Sequence, residues 1–172
     1  LKVARTEKIN SETIGFQIGP RLNAGGRMKS AEISLKLLMS KNHREAGELA
    51  MKLNQLNQDR RNSQKQAMTE IAEVDNAVMV VTGKWHEGVL GIIAGRLVEK
   101  YHKPAFVLTE TEEGIFKGSG RSFGDFNLAD VLKKCEKEII GGGGHAAACG
   151  LKILKEKLPK FISAVNNYYE SL

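Results

Sequence analysis

Ala77-Val78-Met79-Val80-Val81-Thr82 runs straight into Gly83-Lys84-Trp85-His86-Glu87-Gly88, and Val89 to Tyr101 follows with Val89, Ile92, Ile93, Leu97 and Tyr101 at helical spacing. An unbroken apolar run closed by glycine fits a strand buried on both faces, which places the loop between a strand's carboxyl end and a helix's amino end. Downstream the alternation continues. Pro104 opens a strand through Thr109, Glu112-Glu113-Gly114 turns it into Ile115-Phe116-Lys117, and Asn127 caps a helix carrying Leu128, Val131, Leu132 and Cys135. Leu151 to Leu154 suits another strand, and Pro159 sits near the first turn of a last helix with Leu158, Phe161, Ile162, Val165 and Tyr169 on one face. Strands alternating with helices imply an α/β fold, and the hairpin makes it a mixed β-sheet flanked by helices.

Upstream, the pattern changes. Ile14, Phe16 and Ile18 alternate within Thr13 to Ile18, which predicts a short strand entering a Gly19-Pro20-Arg21 loop. A helix is expected from about Ser30 to Met39 with Ile33, Leu37 and Leu38 on its buried side, and Asn42 with Glu45 offers a capping box for the next. From His43 to about Glu73 there is no proline and only Gly47, and the stripe of Ala46, Leu49, Ala50, Leu53 and Leu56 gives way to Asn57-Gln58-Asp59-Arg60-Arg61-Asn62-Ser63-Gln64-Lys65-Gln66. A helix polar on every side bridges domains through solvent, and this one would span roughly 45 Å. The sheet is thus preceded by a long connecting helix. The expected division is 1–41 as the end of an upstream domain, 42–75 as the connector and 76–172 as the compact domain. No internal repeat or low-complexity tract interrupts it.

The 172 residues are 41% hydrophobic and 27% charged, ordinary for a soluble globular protein, and no apolar run approaches the roughly 18 residues of a membrane span. No membrane crossing is expected. The net charge of +6 favours polyanionic partners. Cys135 and Cys149 are the only cysteines and stand far apart, which supports neither a zinc ribbon nor a disulfide framework and fits a reducing cytoplasm. No secretory signal is visible, and a start at Leu1 rather than methionine leads us to expect a piece of a longer polypeptide.

Three glycine-rich segments carry the candidate chemistry. Gly141-Gly142-Gly143-Gly144-His145-Ala146-Ala147-Ala148-Cys149-Gly150 leaves the backbone bare and delivers one imidazole from a glycine-rich turn, so amides of Gly143 and Gly144 with His145 could cradle a phosphate; a tight turn without a ligand is the alternative. In Lys117-Gly118-Ser119-Gly120-Arg121-Ser122, the glycines permit close approach, Arg121 offers a planar fork of donors and Ser119 and Ser122 offer hydroxyls, with a surface ion pair as the alternative for Arg121. Arg21 and Arg27 flank Asn23 in Gly19-Pro20-Arg21-Leu22-Asn23-Ala24-Gly25-Gly26-Arg27-Met28, where either could clamp a phosphate or a carboxylate. His86 sits where ligands of α/β folds bind, or serves only to fix its loop, and Trp85 reads as a hydrophobic anchor. The aspartates, Asp59, Asp75, Asp125 and Asp130, form no Asp-x-Asp or Asp-His-His cluster of the kind two-metal phosphodiester cleavage needs, and no nucleophile elbow or Walker loop is present. No catalytic or metal-binding residue is expected in this chain.

Taken in order, these segments resemble the carboxyl-terminal part of the catalytic core of the RecJ exonucleases, in the DHH phosphoesterase superfamily. Gly19 to Met28 resembles the motif ending the catalytic domain, and Leu53, Leu56, Asn57 and Arg60 resemble the interdomain helix. Trp85 to Leu97, Lys117 to Ser122 and Gly143-Gly144-His145 are similar to motifs of the DHH-associated domain. The resemblance implies a 5′→3′ exonuclease of DNA repair and recombination that acts on single-stranded DNA, with Mn2+ or Mg2+ held by a DHH domain of the same polypeptide that is absent here. It further implies that Arg121, Ser122, Gly144 and His145 contact phosphate or the terminal nucleotide, that Arg21 lies near the strand's 5′ end, and that this chain alone is inactive. The Gly142-Gly143-Gly144-His145 run is also similar to that of nanoRNA and cyclic-dinucleotide phosphodiesterases, and a stand-alone nucleic-acid-binding module like that of alanyl-tRNA synthetases is a further alternative.

Overall fold

A computed structural model describes residues 9–72, 74–112 and 114–172. The amino-terminal residues 1–8, the expected helix end at Glu73 and the turn residue Glu113 lie outside the described residues. The chain divides into two compact units, Leu1–Lys65 and Gln66–Leu172.

The described residues of the first unit form helices joined by short turns. Thr13–Ile18 forms wide π-helical turns that continue into helix α1, Gly19–Met28, so the expected strand and loop are both replaced by helix. Ile14 and Phe16 are 53% and 81% exposed, so their alternation marks no buried strand face. Pro20, in the first turn of α1, has no N–H to bond, and it sits where the π-helical turns, closed by Gly19 N–H on Ile14 O, give way to the α-helix. Helix α2, Glu32–Met39, buries Ile33 as expected, but Leu38 is 69% exposed. Helix α3, His43–Glu70, is capped by Asn42, whose Oδ1 accepts from the N–H groups of Arg44 and Glu45 at 2.9 and 3.2 Å. The reciprocal half of the expected box is diverted: Glu45 accepts from Ser40 Oγ at 2.6 Å, and Ser40 Oγ in turn accepts from the Asn42 N–H at 3.3 Å. Nor is the polar stretch polar on every side. Asn57 is buried beside Leu53 on α3, and burial, then the charges of Arg27 and Arg61, lowers the pKa of Arg60.

The second unit is built on five strands, β1 Met79–Gly83, β2 Ala105–Glu112, β3 Ile115–Arg121, β4 Ile139–Gly144 and β5 Ala148–Leu154, in the order β1-β2-β3-β5-β4. β1 and β2 are parallel, joined through helix α4, Leu90–Tyr101; the remaining pairs are antiparallel. The mixed α/β sheet expected from the sequence is present. Its strands alternate cleanly. Phe116, Gly118 and Gly120 of β3 and Cys149, Leu151 and Ile153 of β5 face a core with helices α5, Leu128–Lys134, and α6, Leu158–Glu170. Phe106 and Phe161, both fully buried, meet edge to face there at 5.2 Å. α4 packs across β2 and β3. Among the described residues no helix is long and apolar enough to cross a membrane.

Candidate nucleic-acid interface

The strand period that buries Gly118 and Gly120 turns Lys117, Ser119 and Arg121 to the opposite face of β3. Antiparallel partners share a face, so the register places Lys152 beside Lys117, Gly150 beside Ser119 and Ala148 beside Arg121. One strand further, Gly141 and Gly143 lie beside Lys152 and Gly150. A Cβ on Gly141 or Gly143 would meet nothing within 4 Å, and one on Gly150 only the Gly118 carbonyl oxygen at 3.8 Å. The result is a bare patch of main chain with Arg121 at one end and two lysines at the other.

The glycine run is therefore an edge strand rather than the expected turn, and no residue in it has a positive φ. Its glycines are needed for room. A Cβ on Gly142 would come within 2.7 Å of the Gly150 carbonyl oxygen, and one on Gly144 would strike the Ala148 carbonyl oxygen and stand 2.6 Å from Cys149 Cα. Gly142 and Gly144 thus let two backbones close on the core side, while Gly141 and Gly143 leave the other side open. Gly144 does not share the open face with Gly143. A hollow of about 430 Å3 lies against α5, lined by Leu132, Lys133, Glu136 and Ile139 together with the glycines; it contains none of Ser119, Arg121 or His145.

Arg121 is half-buried and aimed. Its Nη1 donates to its neighbour's carbonyl, Gly120 O, at 2.8 Å and to Ser119 Oγ at 3.3 Å, and Ser119 Oγ donates to Cys149 O at 3.1 Å. Gly91, in the first turn of α4, makes room for it: a Cβ there would come within 2.8 Å of Arg121 Nη2 and 3.1 Å of Ser119 Oγ. His145 is exposed beyond the end of β4, where its N–H donates to Ala148 O at 2.9 Å. Because Ala148 is also the cross-strand partner of Arg121, Arg121 and His145 belong to the same end of the sheet. Ser122 is held otherwise. Its hydroxyl donates to Phe126 O and its N–H to Ala147 O, which fastens the segment after β3 to the 145–148 turn.

The loop after β1 places the other candidates. His86 is exposed, and its Nδ1 accepts from the Gly88 N–H at 3.1 Å, which caps the 3-10 turn leading into α4. That bond leaves the ring proton on Nε2. Trp85 is the buried anchor expected from the sequence: a Cβ on Gly83 would strike its ring, its N–H donates to Thr109 Oγ1 at 3.2 Å, and its Nε1 donates to Glu70 Oε2 at 2.8 Å. Glu87 accepts from Lys117 Nζ at 2.6 Å. Arg21 lies in the first unit, on α1 rather than in a loop, with Nε donating to Asn54 Oδ1 at 2.9 Å and Nη1 to Gln17 O at 2.7 Å.

Residues 74–171 match the DHHA1 domain. The chain belongs to the DHHA1 domain family. Its similarity extends upstream of the DHHA1 domain: it is 39% identical over 165 residues to the single-stranded-DNA-specific exonuclease RecJ of Bacillus subtilis, covering 91% of this chain and 21% of that protein. RecJ of Haemophilus influenzae is 36% identical over 170 residues, covering 90% of this chain and 30% of that one. The fold superposes on RecJ of Thermus thermophilus in complex with Mg2+ with a TM-score of 0.86 at 29% identity, covering 93% of this chain and 26% of that chain. An exonuclease RecJ bound to manganese gives 0.87 at 28% identity, covering 99% and 44%. The chain thus spans between about a fifth and a third of the length of the curated relatives it matches.

Those structures hold a divalent ion; among the described residues of this chain no group of three His, Cys, Asp or Glu side chains comes together that could hold one. Burial pushes the Cys149 thiol up to about 11, against a backbone hydrogen bond to Gly120 and the charge of Arg121, so Cys149 is not an activated nucleophile. The arrangement can bind anions and admit a ligand close to bare backbone. Gly91, Gly150 and Lys152 had no role of their own in the sequence reading, Gly91 and Gly150 standing only within longer segments. An isolated glycine in the helical pattern of Val89 to Tyr101 was the signal for the first, and the alternation of Gly150 and Lys152 with Leu151 and Ile153 was the signal for the others.

Proposed function

We propose that this DHHA1 chain is the substrate-gripping part of a metal-dependent 5′→3′ exonuclease acting on single-stranded DNA in repair and recombination. The bare patch of Gly141, Gly143 and Gly150 beside Arg121 carries the reading, because a strand can lie flat on exposed main chain only where no Cβ intervenes. Arg121 holds a phosphodiester by its planar fork, Ser119 orients Arg121, Gly143 leaves the main chain of β4 bare, Gly144 lets β4 close on β5 beside it, and His145 donates from the end of β4. His86 and Ser122 shape the site's margins through the hydrogen bonds described. Arg21 meets the strand near its 5′ end. Mn2+ or Mg2+ is held by a DHH domain of the same polypeptide, outside this chain, which supplies the chemistry of hydrolysis. The likeness to RecJ proteins of two bacteria over nearly all of this chain favours this reading over an oligonucleotide phosphodiesterase of another kind or a free-standing binding module.

Mixed with labelled single strands and manganese, the chain should bind without cleaving. Robust metal-dependent degradation overturns the proposal. In the complete enzyme Arg121→Ala should raise KM for single strands, and unchanged kinetics count against the grip.

A further inference from the structure

Lys117 and Lys152 are direct cross-strand partners on the open face, and like charges so placed repel. Glu87, from the loop before α4, sits with its carboxylate 2.6 Å from Lys117 Nζ. The ion pair is open to solvent, with the two side chains 44% and 49% exposed, so it is exchangeable rather than a buried structural lock. The Glu87 carboxyl is held below its ordinary value first by the hydrogen bond from Lys117 and that lysine's charge, against the opposing effect of burial, with lesser help from His86 and Lys152. One carboxylate, bonded to Lys117, therefore stands beside a pair of lysines at the edge of the glycine patch.

We propose that Lys117 and Lys152 form a second phosphate subsite, for which Glu87 is the built-in competitor that an incoming phosphodiester displaces. This rests on the open face being a single-strand surface. Lys117 and Arg121 lie four residues apart on β3, about 13 Å at the rise of a strand, with Ser119 between them. A ligand with one internucleotide phosphate reaches Arg121 alone, and a longer strand reaches both. The lysine pair thus selects for length, and Glu87 sets how strongly.

The test is fluorescence anisotropy of the chain with a labelled thymidine dinucleotide and with a longer oligothymidylate, across a salt series, for the unmodified chain and for Glu87→Gln, Lys152→Ala and Arg121→Ala. Lys152→Ala should weaken the longer oligonucleotide by about tenfold and lower its salt slope by about 0.7, the value for one lost phosphate contact on a single strand, and leave the dinucleotide unchanged. Glu87→Gln keeps the side chain's shape and should tighten the longer oligonucleotide several-fold, again without effect on the dinucleotide. Equal effects on both lengths, or none from either variant while Arg121→Ala still abolishes binding, overturns the second subsite and leaves the surface itself standing. Absence of binding by the unmodified chain, or binding that Arg121→Ala does not change, overturns the surface and the subsite together.

Discussion

Gly91 leaves the space that Arg121 occupies: a methyl group there would stand 2.8 Å from Nη2, inside any van der Waals contact. Because the obstructing atom is the tip of a flexible side chain, Gly91→Ala should displace the guanidinium rather than unfold the sheet. Helix propensity even favours alanine by up to about 1 kcal/mol. The expected outcome is unchanged or slightly raised stability in urea with weakened single-strand binding. Loss of both together, or of neither, contradicts a positioning role.

The two halves of the glycine run should respond in opposite ways. Gly144→Ala and Gly142→Ala push into the backbone of β5 and should cost about 1–3 kcal/mol of stability, as overpacking does. Gly143→Ala points into open space, should change stability by no more than about 0.5 kcal/mol, and should weaken strand binding by raising a methyl above the patch. Denaturant unfolding and anisotropy on the same three variants check this.

Trp85 is the chain's only tryptophan, so its fluorescence reads its bond to Glu70 directly. That hydrogen bond, then one from Gln66, lowers the Glu70 carboxyl pKa from its ordinary value of 4.5. With the folded value below the unfolded one, the stabilisation is complete above pH 4.5 and fades as pH falls through the lowered value. An emission change confined to that acid window, and absent in Glu70→Gln, is expected. An acid transition of the same midpoint in Glu70→Gln contradicts the assignment.

Both thiols should resist modification. Burial raises Cys135 and Cys149 each to about 11, so at neutral pH little thiolate is present in the native protein. Ellman's reagent should react slowly with the native chain and promptly after unfolding. Immediate reaction of Cys149 under native conditions contradicts its packing beneath Gly120, and that of Cys135 contradicts its burial at the end of α5.

The sheet was legible where composition and period agree. Ala77 to Thr82, the Glu112 to Gly114 turn and the Asn127 cap all carry local chemistry that points one way, and β1, the β2–β3 hairpin and α5 follow from them. Thr13 to Ile18 misled because an apolar period of two over only six residues also occurs by chance in a helix, and helix runs from it into Gly19 to Met28. The glycine run was readable as a place where Cβ atoms are unwelcome, yet whether the reason is torsional or steric depends on what lies opposite, and that is β5. Gly91 and Arg121, thirty residues apart in the chain, meet only through the packing of α4 on β3. Lys117 and Lys152 become neighbours only through strand register.

The most direct test of the central claim is amide chemical-shift mapping of the chain during titration with a single-stranded oligothymidylate at low salt. The account predicts perturbations gathered on Ser119, Arg121, Gly141, Gly143, His145 and Gly150, and their loss in Arg121→Ala. Perturbations confined to α5 and α6 on the other face of the sheet, or a map that Arg121→Ala leaves intact, would contradict it.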